Sequence, residues 1–64
     1  MKKLTKREQE ALIYIVQGEN NHAIAQRLVV SHHTAKAYVS GIFQKLGVTS
    51  RVQAAVKAVR ENLV

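Results

Sequence analysis

Residues 21–46, NHAIAQRLVVSHHTAKAYVSGIFQKL, decide the fold: they spell a short helix, a tight turn and a longer helix with two unlike faces. In the longer helix Ala35, Val39, Ile42 and Leu46 recur at steps of four, three and four, which is one apolar stripe of an α-helix. The opposite side carries His33, Lys36, Ala37, Ser40 and Gln44: one cation, several hydrogen-bonding groups, no acid and nothing bulky. A helix that buries one stripe and offers short polar arms on the other has the shape to lie in a DNA major groove.

Outward from this stretch, start and stop signals give four helices, at about 5–17, 21–28, 32–46 and 51–61, and therefore an all-α four-helix domain spanning 1–64. Thr5 and Glu8 have capping-box spacing, and Gly18 stands where a left-handed cap would end the first helix, whose Leu12, Ile15 and Val16 share a side. Asn20 or Asn21 can cap the second helix, which turns Ile24, Ala25 and Leu28 inward. Val29, Val30 and Ser31 make the turn, with Ser31 as N-cap of the third helix and Gly47 as its stop. Ser50 and Gln53 repeat the capping-box spacing before the fourth helix. There is no linker, repeat or low-complexity tract.

Composition narrows the function. Ten Lys and Arg against four acids give a net charge of +6, which favours a polyanionic partner, nucleic acid above all. There is no Cys, so disulfides and cysteine metal sites are excluded. His32 and His33 are adjacent and point about 100° apart on a helix, there is no Asp, and a zinc site needs three or four converging ligands; no metal and no cofactor is expected. An enzyme finds no support either, since four scattered glutamates and no glycine-rich loop supply neither a base with an orienting group nor a pocket. No stretch approaches the length of a membrane span, and MKKLTKREQE lacks an apolar signal core, so the expected compartment is the cytoplasm, with no membrane partner.

With the elements placed, the chain resembles the LuxR/NarL/FixJ family of bacterial transcription-factor DNA-binding domains. The resemblance runs through LTKREQEAL, GENNHAIAQRL, VVSHHTAKAYVSGIFQKLGV and TSRVQAAVKA, in order and over nearly the whole chain. It implies that the second and third helices form a helix-turn-helix and that the third is the recognition helix. It also implies that the fourth helix commonly carries a dimer contact, and that RNA polymerase is a further partner. Regulation by phosphorylation or a small molecule would reside outside these residues. Three departures from the family pattern stand out. Lys6 stands for a frequent Pro, Ala35 for a usual Val, and His22-Ala23 for a usual Lys-Glu, which puts a phosphate contact at position 22 in doubt.

The residues then sort by role. Lys36 is the leading base contact, since a long cation reaches guanine O6 and N7 and the family's motif has Lys there; Ala37, Ser40 and His33 share its face. Asn21, Thr34, Tyr38, Gln44, Lys45 and Arg51 are the candidate phosphate contacts. Tyr38 reads equally well as an aromatic packed on another helix, Lys45 also suits a helix C-terminus, and Arg51 could instead pair with Glu8. Gly41, costly in mid-helix, implies close approach of DNA backbone or of a neighbouring helix, or tolerated drift. In the fourth helix Val52, Val56, Val59 and Leu63 are expected inside, leaving Ala54 and Ala58, with Arg51, as a smooth dimer strip. The expected function is sequence-specific binding of double-stranded DNA by a homodimer. The alternative is a small basic helical adaptor that binds proteins, which explains the charge but not the acid-free face of the third helix. An RNA target is the lesser alternative, because the chain lacks the aromatic stacking platform typical of single-strand readers.

Overall fold

The computed structural model describes residues 3–64; the first two positions of the expected 1–64 domain lie outside them. Four helices follow in order: α1 Lys6–Val16, α2 Asn21–Leu28, α3 His32–Leu46 and α4 Arg51–Arg60. Each begins where a polar side chain satisfies a free backbone N–H. The Glu8 N–H donates to Thr5 Oγ1 at 3.1 Å while the Thr5 N–H donates to Glu8 Oε1 at 2.8 Å, closing the expected box. Asn20, not Asn21, caps α2, accepting from Ala23 N–H at 2.9 Å, and Ser31 caps α3. At α4 only half of the expected box forms. Ser50 accepts from Gln53 N–H, but the Gln53 side chain reaches past Ser50 and accepts from Thr49 N–H at 2.9 Å.

The stops are as informative. Gly18 (φ 84°) and Gly47 (φ 68°) take the left-handed turns expected of them. Val29 ends α2 with φ 57° and ψ 51°, a left-handed conformation that a β-branched residue adopts only at a cost. The turn is held from outside. Arg7 of α1 donates to the Leu28 carbonyl at 2.5 Å, and Val30 N–H donates to Ala25 O at 3.0 Å.

The core is aliphatic: Ala11, Leu12 and Ile15 of α1, Ile24, Ala25 and Leu28 of α2, Ala35, Val39, Ile42 and Leu46 of α3, and Ala54 and Ala58 of α4. Val16 is only partly buried against it. The face expected for α4 is inverted. Ala54 and Ala58 are completely buried, whereas Val52 is 73 % exposed, Val56 48 % and Val59 59 %. The fourth helix meets α1 and α3 through methyl groups, against an interior already filled by Leu12, Ile15 and Ile42, and the bulkier valines are left outside. Ala54 and Ala58 therefore form no exposed strip, and the expected dimer surface on them is corrected.

Candidate nucleic-acid interface

The third helix is 15 residues long and is clamped on one side only. Ala35, Val39, Ile42 and Leu46 anchor it in the core, while His33, Lys36, Ala37, Ser40 and Gln44 are all exposed on the opposite side. The flank at Thr34, Tyr38, Gly41 and Lys45 is half-buried. Thr34 Oγ1 accepts from the Ser31 hydroxyl at 2.9 Å, which steadies the first turn, and Tyr38 packs partly against the core.

The flank explains Gly41. A Cβ there would overlap Glu8 Oε2 of α1, so the missing side chain makes room for a carboxylate of a neighbouring helix. Glu8 is the one buried charged residue among the described residues, 7 % exposed. Its Oε1 takes the Thr5 N–H and also the Lys45 ammonium, at 2.7 Å. Burial pushes the Glu8 carboxyl up, but the donors from Lys45 and Thr5 outweigh it and hold it below the usual carboxylate range. This cluster ties the start of α1 to the last turn of α3 and fixes the tilt of the exposed face.

Charge is sorted in the same way. All four acids pair with cations: Glu8 with Lys45, Glu10 with Arg7, Glu19 with Arg27 and Glu61 with Lys57. Among the described residues the positive surplus falls on Lys3, Lys6, Lys36, Arg51 and Arg60. Lys36 stands exposed on the acid-free face with no acid within ion-pair distance among the described residues.

The candidate phosphate contacts divide. Gln44 is exposed, and Thr34 and Tyr38 line the flank. Lys45 is taken by Glu8, and Arg51 faces α2 rather than Glu8: its guanidinium donates to Asn21 Oδ1 and to the Glu19 carbonyl, each at 2.6 Å. Arg51 and Asn21 are thus bound to each other. Arg51 is accordingly half-buried and not part of an open dimer strip. The sequence reading missed Arg7 and Lys45 as internal clamps, because their partners lie 21 and 37 residues away and neither partner shows a local spacing signal. His22 and His32 approach across the turn, their ring centroids 6.4 Å apart and tilted by 58°, while His33 points from the exposed face. No group of three or more potential metal ligands occurs among the described residues.

The sequence matches the family model described as bacterial regulatory proteins, luxR family, over residues 2–58. Among its relatives are the transcriptional regulatory protein LiaR of Bacillus subtilis, 44 % identical over 61 residues, and the response regulator protein VraR of Staphylococcus aureus, 41 % identical over 61 residues. Each of these alignments covers 95 % of this chain and 29 % of the relative, so the chain spans about three tenths of their length. In three dimensions it superposes on the crystal structure of the response regulator ChrA from a heme-sensing two-component system. The TM-score is 0.92 at 34 % identity, over 100 % of this chain and 32 % of that one.

Proposed function

The chain belongs to the luxR family of bacterial regulatory proteins, and from that premise we propose that it binds double-stranded DNA in a sequence-specific manner, with α3 in the major groove, in the control of transcription. The observation that carries the reading is the exposed, acid-free face of α3, set opposite a fully anchored stripe. In this reading Lys36 reaches a base edge or a phosphate, Ala37 meets a thymine methyl, and Ser40 and His33 hydrogen-bond to base edges. Thr34, Tyr38 and Gln44 position the helix through phosphates. No step of this reading requires catalysis or a cofactor.

Dimerisation belongs to the same proposal, on a corrected surface. The exposed valines Val52, Val56 and Val59 of α4 supply the apolar face a second copy would cover, and a two-fold pair would read half-sites about one helical turn apart. Contact with RNA polymerase rests on family membership alone. No helix among the described residues is long and apolar enough to cross a membrane, and action on chromosomal DNA would place the protein in the cytoplasm.

The test is a mobility shift on mixed genomic fragments at two salt concentrations, followed by selection of a preferred site from a random pool. Binding should weaken steeply with salt as cations displace condensed counterions. Lys36→Ala should weaken the selected site more than random DNA; equal losses would reduce Lys36 to a phosphate contact. No binding at low salt would remove the DNA reading and favour the adaptor.

A further inference from the structure

Arg51 and Asn21 meet in a way that constrains what each can offer a ligand. A guanidinium carries donors only, so the Asn21 atom 2.6 Å from Arg51 Nη1 must be the amide oxygen. The second arm of Arg51, on the Glu19 carbonyl at 2.6 Å, fixes the plane of the guanidinium and stops it from turning away. The carboxamide of Asn21 is therefore locked in one of its two flips, with its two N–H groups directed away from Arg51. That nitrogen makes no hydrogen bond among the described residues. The only fully buried side-chain N or O atom without a partner among them is Glu19 Oε2, so the nitrogen of half-buried Asn21 is not sealed from solvent.

A phosphate oxygen only accepts hydrogen bonds. An amide free to swing and flip would have to be restricted to its donating orientation when a phosphate binds, whereas a clamped one is already held there. We infer that Arg51 is a positioning residue: it does not touch DNA itself but holds the Asn21 carboxamide so that its N–H donors face a backbone phosphate. The inference rests on the DNA reading above and reassigns Arg51, which the sequence alone places among the phosphate contacts. Its cation acts at one remove, and the contact it supports is neutral.

The experiment uses the 64-residue chain and a fluorescein-labelled duplex carrying the selected site, read by anisotropy, with thermal melts of every variant. Asn21→Asp keeps an oxygen for Arg51 and removes both donors. It should melt at or above the parent temperature yet bind DNA about tenfold or more weakly. Asn21→Ala should lose affinity by a similar factor with an unchanged salt slope, because an amide releases no counterion. Arg51→Met should lose a smaller part of that affinity and add almost nothing on top of Asn21→Ala. Arg51→Lys, which cannot span both acceptors, should recover little.

Parental affinity in Asn21→Asp would overturn the inference while leaving DNA binding intact. So would losses for Asn21→Ala and Arg51→Met that multiply, with the logarithmic salt slope falling by about 0.9 on loss of Arg51, since that marks a direct phosphate contact. If Arg51→Met does not fold, the Asn21→Asp arm and the Arg51→Lys slope decide alone. A parent chain that binds no duplex at low salt overturns the DNA reading and this inference with it.

Discussion

Replacing Gly41 by Ala sets two known effects against each other. Alanine is worth about 1 kcal/mol over glycine in a helix interior. Here its Cβ would overlap Glu8 Oε2, and Glu8 is not a loose side chain: Thr5 N–H and Lys45 hold it at 2.8 Å and 2.7 Å. Making room means swinging the carboxylate out. That forfeits the Lys45 contact, where a hydrogen bond to a charged group contributes about 1.5–3 kcal/mol, towards the lower figure because Lys45 can turn to water. It also opens the reciprocal arm of the N-cap, at about 0.5–1 kcal/mol. The balance is a net loss of about 1 kcal/mol or more in the parent sequence. In a Glu8→Ala background the obstruction is gone, and Gly41→Ala should stabilise by about 1 kcal/mol. The pair should therefore show a coupling of about 2 kcal/mol or more, against the few tenths expected of independent sites. Urea denaturation of the four proteins measures it. Stabilisation by the same amount in both backgrounds would refute the account of Gly41, and a loss of DNA affinity in folded Gly41→Ala would return it to the DNA backbone.

Three further outcomes follow from the structure. Val29 is 88 % exposed in a left-handed conformation, so Val29→Asn loses no packing and relieves about 1 kcal/mol of backbone strain, raising the melting temperature by about 4–8 °C; an unchanged melt would show that the turn is not strained. Ala58→Glu should abolish folding, seen by circular dichroism, whereas Val56→Glu should fold normally and lose cooperative binding to paired half-sites; a folded Ala58→Glu would reject the orientation given for α4. The lowered Glu8 pKa makes its ionised form stabilising above the unfolded-chain value of about 4.3, and that stability drains away as pH falls through the folded value below it. Glu8→Gln should therefore flatten stability against pH in that acid window, and parallel acid profiles for parent and variant would contradict the role of the carboxylate.

The parts of the fold with local signatures were readable from the chain. Thr5, Ser31 and the glycines at 18 and 47 mark helix ends through interactions within a few residues, and the stripe from Ala35 to Leu46 declares the inner face of α3. The inner face of α4 was not readable. On that helix both sides are apolar, and hydrophobicity alone ranks valine above alanine, whereas close approach to α1 rewards the smaller residue. The left-handed turn at Val29 escaped because no glycine announces it. The contacts of three cations across the fold escaped for a different reason. The sequence offers Lys45 and Arg51 a phosphate, a helix end or Glu8 and offers Arg7 nothing distant, yet once the helices are assembled each proves to be committed to another helix or to the residues that introduce it. The candidate reading face could be named in advance because it is a single helix surface. The residues that hold it in place could not, because they act across the fold.

The side chains that anchor α3 and those it displays to solvent are disjoint sets. Exchanging an outward residue on such a helix disturbs stability by no more than about 0.5 kcal/mol, as for other surface positions. If the proposed reading holds, preference for one target can be retuned a single residue at a time while the scaffold stays folded at every step. Duplicated copies of such a gene can diverge in what they recognise without first acquiring compensating mutations in the interior.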